Sequence, residues 1–441
     1  MKTPTTILFA LLFGIPMLAQ TDHSEFIEGP FTSPQEVTET CLLCHDGIDK
    51  AIMKTRHWNW EGKQKIINNY CISLTANWAR CTSCHIGFGW KDETFDFTDG
   101  NNIDCLICHE QTGTYKKVPT GAGMPDPSTD LKKVAQSVGK TTIRNCSVCH
   151  FNGGGGTGVK HGDLDGSMLN PSPSLDVHMG KLGLSCSDCH AGENHQILGA
   201  SHGSLAAGTN HIACLDCHDE KPHQKKIVND HIKSVACETC HIPTFAREEP
   251  TKTWWDWSTA GLDKTIEKDE FGMPLYDKKK GDFIWEKNVV PEYRWHNGQA
   301  DYYQSGEEID PEKVVELNRL TGNIGDEKAK ITPFKVMRGK QIYDVKYLYL
   351  ITPKLFGENG YWITFDWNSA SELGMASSHL AYSGKFNFVE TAMYWPINHM
   401  VAPAGKSLKC TECHTKEASG RLNWEQLGYK GDPMITGGRP K

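Results

Sequence analysis

A mainly α chain with much irregular structure, packed around something larger than its own side chains, is predicted by three features of the sequence. The pentapeptide Cys-x-x-Cys-His occurs eight times and uses sixteen of the 17 cysteines. Only 38% of the 441 residues are hydrophobic while glycine numbers 42, so side chains alone make a thin core for this length. Seven of the eight motifs crowd into residues 41–241, about one per 29 residues, which leaves room for short helices and little else.

The motifs start at Cys41, Cys81, Cys105, Cys146, Cys186, Cys214, Cys237 and Cys410. Their second cysteines are Cys44, Cys84, Cys108, Cys149, Cys189, Cys217, Cys240 and Cys413, and their histidines His45, His85, His109, His150, His190, His218, His241 and His414. This is the attachment pattern of c-type haem. Two thiols form thioethers to the vinyl groups, and the adjacent histidine lies under the iron. Zinc also takes Cys-x-x-Cys pairs, but zinc does not require a histidine directly after every pair. A disulfide framework gives no reason for that histidine either. Eight covalently attached c-type haems are therefore expected, in a multihaem cytochrome c core whose interior is largely porphyrin.

Four segments follow. Residues 1–20 read as a secretory signal, with Lys2 before an apolar run too short to span a bilayer. Residues 21–241 form the core with seven motifs, 242–409 a mixed haem-free insertion, and 410–441 the eighth motif and a surface tail. The mature protein is expected to be soluble and periplasmic, not an integral membrane protein. Net charge is −8 with no basic run, which argues against nucleic acid and leaves an anionic substrate dependent on a local positive pocket.

Within the core, 21–40 reads as an irregular lead-in and 63–78 as a helix carrying Asn68 and Cys71. Glycine-rich 151–165 reads as a loop able to approach a flat cofactor. Electron-transfer haems need a sixth ligand. His57, His161, His178, His195, His202, His211, His223, His231 and His399 all lie within about 30 residues of a motif and are the expected distal ligands, without individual assignment. In the insertion, 341–351 and 360–367 read as strands or hairpins and 307–320 as a helix opened by Asp310-Pro311. The insertion is rich in tryptophan and tyrosine and is expected to shield the haems.

A haem with two histidine ligands carries electrons but has no position for a substrate, so catalysis needs an odd one. Pentahaem nitrite reductases mark theirs with Cys-x-x-Cys-Lys, which does not occur here. The eight-motif layout, Lys160-His-Gly-Asp-Leu-Asp165, the segments 235–247 and 394–400, and Cys71 ten residues before Cys81 resemble the octahaem tetrathionate reductase family. The resemblance covers most of 41–414. It implies a lysine nitrogen as distal ligand of the second haem, on Lys160, with His85 opposite. It also implies a free cysteine beside that haem, on Cys71, and a nearby polar residue, on Asn68. Relatives also reduce nitrite and hydroxylamine.

The residues are compatible with this. A neutral amine is a displaceable ligand that must lose a proton to bind iron. Freed and protonated, Lys160 becomes a cation beside an anionic substrate, with Asp163 or Asp165 as a proton relay or merely solvated. Cys71 can attack the S–S bond of tetrathionate. The expectation is a periplasmic reductase that takes electrons from a periplasmic or membrane-bound donor and passes them to a small oxyanion. Nitrite or hydroxylamine reduction at the same haem is the second reading. A non-enzymatic electron wire is the third, since twelve histidines outside the motifs could ligate all eight haems.

Overall fold

The computed structural model describes residues 21–59, 66–153, 155–199, 212–415 and 420–439. The expected signal segment, His202, His211 and the start of the 63–78 helix lie outside them. Single helical turns carry the motifs because the spacing asks for one turn. Residues i and i+3 share a helix face, so both cysteines point the same way. The histidine N–H closes the turn onto the first cysteine's carbonyl, at 3.0 Å for His45, 2.7 Å for His190 and 2.8 Å for His414. Helices Leu106–His109, Cys186–Cys189, Cys237–His241 and Cys410–Cys413 are of this kind.

The largest regular element is a sheet built from the chain between the seventh and eighth motifs. Its path runs Tyr276–Asp277, Gly281–Glu286, Thr251–Asp256, Lys330–Asp344, Phe386–Pro396 and Val315–Glu316. Lys330–Asp344 is its spine, fifteen residues long and buried along most of its length. It pairs antiparallel with Phe386–Pro396 from Phe334 to Asp344 and parallel with Thr251–Asp256. Gly339 faces the Trp255 carbonyl on that parallel neighbour so closely that a Cβ would sit 2.4 Å from the oxygen. Trp255, Trp257, Met337, Ile342 and Trp395 form the main core against this sheet.

Several sequence expectations are revised. The mainly helical reading holds only for the haem core, where helices are short; 251–396 is dominated by strands. The lead-in 21–40 contains most of the helix Pro34–Leu42, opened by the Ser33 hydroxyl and Pro34. Residues 66–77 form bridges and turns, and helix begins only at Trp78. The 307–320 segment is turn and short strand, with Val315, Leu317 and Asn318 buried against the sheet. Conversely, 360–367 is helical at Tyr361–Thr364, not a hairpin. The C-terminal segment is no loose tail: Leu422, Leu427 and Tyr429 pack on Tyr293 and Trp295. Among the described residues, no helix is long and apolar enough to cross a membrane.

Candidate active site and the histidine pairs

Seven of the eight motif histidines face a second imidazole at nearly one distance. The pairs are His45 with His23 (6.4 Å between ring centres), His109 with His195 (6.2 Å), His150 with His57 (6.2 Å) and His190 with His399 (6.2 Å). His218 with His178, His241 with His223 and His414 with His231 complete the set at 6.1 Å each. Metal–nitrogen bonds of about 2.0 Å, with about 1.1 Å from each nitrogen to its ring centre, give about 6.2 Å. The pairs therefore fit a haem iron held between two imidazoles.

Their outer nitrogens agree. Nδ1 meets a carbonyl in His23 (Thr21, 3.0 Å), His109 (Gly139, 2.9 Å), His190 (Leu198, 2.9 Å) and His231 (Ile227, 2.7 Å). Such bonds fix the tautomer that leaves Nε2 available for a metal.

His23 was missed in the sequence, although it stands in the same window before Cys41 that selected the other candidates. Its partnership with His45 predicts that His23→Ala turns one low-spin, ligand-saturated haem into one that binds carbon monoxide. The binding spectrum of the reduced variant against wild type checks this. Of the other candidates, His161 packs its ring on Trp395 at 5.2 Å and, among the described residues, is paired with no imidazole in this geometry.

The thiols set the order of the motifs in space. Cys41 reaches Cys105, Cys84 reaches Cys149, Cys146 reaches Cys186 and Cys214 reaches Cys237 at hydrogen-bonding range. Farther apart but still within electrostatic reach are Cys108 and Cys146 or Cys149, Cys189 and Cys217, and Cys240 and Cys410. One line therefore runs through motifs 1, 3 and 4, and another from 4 through 5, 6 and 7 to 8. Motif 2 branches off motif 4.

His85, in motif 2, is different. Trp90 (4.8 Å), Trp58 (5.3 Å), Phe95 (5.8 Å) and Phe97 (6.2 Å) ring it. Its Nε2 lies 2.8 Å from the Trp58 carbonyl. A carbonyl only accepts, so Nε2 carries the proton and offers no lone pair to a metal. Burial, only partly opposed by that carbonyl, pushes the ring's pKa down to about 3 and keeps it neutral. In this geometry Nε2 is engaged with Trp58, so iron ligation by His85 opposite Lys160 would need the ring to leave that carbonyl.

Lys160 lies in the same region. Its Nζ stands 5.0 Å from the Trp395 ring, and its charge is felt by Cys84 of motif 2. Burial lowers its pKa, opposed by Cys84 and Cys149. Thioether sulfurs carry no charge, so in the haem-loaded protein that opposition vanishes and the neutral amine is favoured further. Lys335 pins this segment from the sheet. Its buried Nζ donates to Val159 O (2.6 Å), Thr251 Oγ1 (2.6 Å) and Lys160 O (3.4 Å). Three acceptors match the three donors of an ammonium, although burial brings its pKa down to about 7.

Cys71 sits in a turn built by Asn68. The Asn68 Oδ1 accepts the Cys71 N–H at 2.9 Å and the Tyr70 N–H at 3.1 Å. Gln341 on the spine strand donates to the Asn68 carbonyl at 2.6 Å, so one strand holds both Lys160 and the Cys71 turn. Burial raises the Cys71 pKa, opposed by the charges of Arg80, Lys280 and Lys252. By accessible area Cys71 is only half-buried. The depth of the surrounding protein is the better guide to its charge state, because it governs solvation of the thiolate.

Lys252 is itself buried in an aromatic cage, 3.1 Å from the Phe283 ring centre, 4.0 Å from Trp255 and 4.8 Å from Trp285. Burial drives its pKa well below the ordinary lysine value. A chain of negative net charge thus gathers five basic side chains, Lys160, Lys335, Arg80, Lys252 and Lys280, around Cys71 and motif 2. Arg80, Lys252 and Lys335 were not legible as site residues in the sequence.

The two acids have structural duties. Asp163 Oδ2 accepts from His399 Nδ1 (3.0 Å) and from the Asn398 and His399 amides (2.8 and 2.9 Å). Burial opposes its ionisation, but these bonds outweigh it and hold the pKa at about 2. Asp165 caps the turn at Ser167, and burial raises its pKa to about 6. Asp163 thus serves the motif 5 pair, and neither carboxylate is bonded to Lys160 in this geometry.

Comparison with known proteins agrees with the pairs. A family model described as bacterial cytochrome c matches residues 252–417, and one described as cytochrome c7 and related cytochrome c matches 172–252. The first match covers most of the expected haem-free insertion together with the eighth motif. An uncharacterized protein of Archaeoglobus fulgidus is 26% identical over 40% of this chain and 80% of its own length. The crystal structure of octaheme cytochrome c from Shewanella oneidensis superposes with a TM-score of 0.90 at 49% identity, covering 96% of this chain and 99% of that one. On that likeness, and on seven imidazole pairs at haem spacing, the chain belongs to the octahaem c-type cytochromes.

Proposed function

We propose that the protein is an exported octahaem reductase with eight covalently attached haems, seven held between imidazoles for electron transfer and one, at motif 2, reserved for chemistry. The observation that carries this is the exception at His85: its Nε2 is committed to the Trp58 carbonyl, while cationic residues and a thiol gather at the same motif. A haem bound there would supply electrons to a substrate, and Lys160 would hold its iron from the chain. Arg80 and Lys280 draw a small oxyanion toward Cys71. Electrons arrive from a periplasmic or membrane-bound donor and reach motif 2 through motif 4.

Tetrathionate is the favoured substrate. The Cys71 thiolate attacks the central S–S bond, releasing one thiosulfate and leaving a Cys71–thiosulfate adduct. Two electrons then free the second thiosulfate and regenerate the thiolate. The proton must leave Cys71 first, and the neutral amine of Lys252, within electrostatic reach, is suited to take it. Nitrite or hydroxylamine reduction is kept as the second reading because burial raises the Cys71 pKa, as in an inert buried cysteine. Electrode films of wild type and Cys71→Ala separate the two. Loss of the tetrathionate current with the nitrite current retained supports sulfur exchange. Unchanged currents in the variant move the reading to nitrogen oxides, and no catalytic wave in wild type leaves electron transfer alone.

A further inference from the structure

We infer that Asp163 and Asp432 make the haems of motifs 5 and 8 the lowest-potential members of the seven imidazole-paired haems. The inference rests on the proposed bis-imidazole ligation.

The pairs are alike in spacing but not in what holds their outer nitrogens. Five of the other paired rings hold Nδ1 on a neutral acceptor: carbonyls for His23, His109, His190 and His231, and the Asn229 amide oxygen for His223 at 3.2 Å. Two rings meet a carboxylate instead. His399, of the motif 5 pair, donates to Asp163 at 3.0 Å, and His414, of motif 8, donates to Asp432 at 2.6 Å. The third histidine–carboxylate contact, His379 with Glu93, is exposed and belongs to no pair.

Both acids accept more than one hydrogen bond. Asp163 Oδ2 accepts three, and Asp432 Oδ1 also accepts the Met434 amide at 2.9 Å. Their side chains are 2% and 8% exposed, so water screens them poorly. A carboxylate behind a ligating imidazole makes the ring a stronger donor and adds a fixed negative charge near the iron. Both effects favour the ferric over the ferrous state and lower the potential. Asp163, the more deeply buried, has the larger effect.

The positions have a consequence. Motif 5 lies on the line between motif 4 and motifs 6 and 7, and motif 8 closes the far end. The haems of motifs 6 and 7 are flanked by two low-potential neighbours. They fill first on that branch, and two haems hold the two electrons that breaking an S–S bond requires.

The test is a spectropotentiometric titration of the haem-loaded full chain, with electron paramagnetic resonance to follow each haem, for wild type, Asp163→Asn and Asp432→Asn. Asparagine keeps an acceptor oxygen and removes the charge. Each variant is expected to raise one low-lying component by at least about tenfold in its one-electron equilibrium, equivalent to 59 mV, and to leave the others in place. The larger rise is expected in Asp163→Asn. The inference is overturned if neither variant raises a component, if the component that moves is among the highest, or if all components move together. The two sites are independent, so one variant that fails to load haem leaves the other decisive. His399→Ala separates the underlying ligation: loss of one low-spin signal supports the pair, and survival of all of them defeats the ligand assignment itself.

Discussion

Replacing Lys160 by leucine is expected to stop turnover with tetrathionate, nitrite and hydroxylamine alike, while the seven imidazole-paired haems keep their low-spin spectra. Leucine fills much of the same space but has no nitrogen. Losing a residue that merely supports a metal ligand costs about 10–100-fold, so losing the ligand is expected to exceed that. His85 cannot readily substitute, because its Nε2 proton is given to the Trp58 carbonyl and the ring is clamped between Trp58 and Trp90. Film voltammetry with each substrate, beside resonance spectra of the oxidised protein, checks both halves. Currents that survive within about threefold of wild type would remove Lys160 from the ligand set.

Lys335→Met is expected to lower the same currents by roughly 10–100-fold without touching any group that meets substrate. Misplacement of a reacting group by about 1 Å costs on the order of 100-fold, and Lys335 is what ties the Val159 and Lys160 carbonyls to the spine strand. Methionine has similar length and no donors. Two carbonyls and the Thr251 hydroxyl lose a partner, at about 1–3 kcal/mol for each buried group left unsatisfied. Removing a buried charge repays part of that loss, so the melting temperature should move far less than activity does. A positioning role predicts a changed spectrum and potential for the motif 2 haem alone. If activity falls only in step with global unfolding, Lys335 is structural and no more.

Both predictions depend on residues that lie far apart in sequence and meet on one strand. Lys335, Met337 and Gln341 occupy alternate positions of Lys330–Asp344. Lys335 anchors the Lys160 segment, the Met337 carbonyl accepts from Asn69, and Gln341 anchors the Asn68 turn that carries Cys71. The expected haem-free insertion is thus more than a cover. Its sheet sets the relative placement of the two halves of the candidate site.

The attachment residues were legible because their chemistry is local. Two thioethers and a ligand on one haem need a fixed spacing within one turn of chain, and that spacing is visible in five consecutive letters. Cys71 stood out by arithmetic, as the one cysteine left over. Lys160 and Asn68 came from the resemblance, and the turn that Asn68 makes around Cys71 appears only in three dimensions.

The imidazole pairs were not legible, because an imidazole 6 Å from another can come from anywhere in the chain. His190 meets His399 near the far end of the insertion, His57 passes over the second and third motifs to reach His150, and His23 lies in a lead-in read as irregular. Asp163 read as a proton relay for Lys160 or as merely solvated, yet it turns to His399 on a distant segment. Helix and strand were misjudged for the same reason. Where porphyrins and a buried sheet supply the packing, local propensity loses to the partner, and the partner is chosen by the fold.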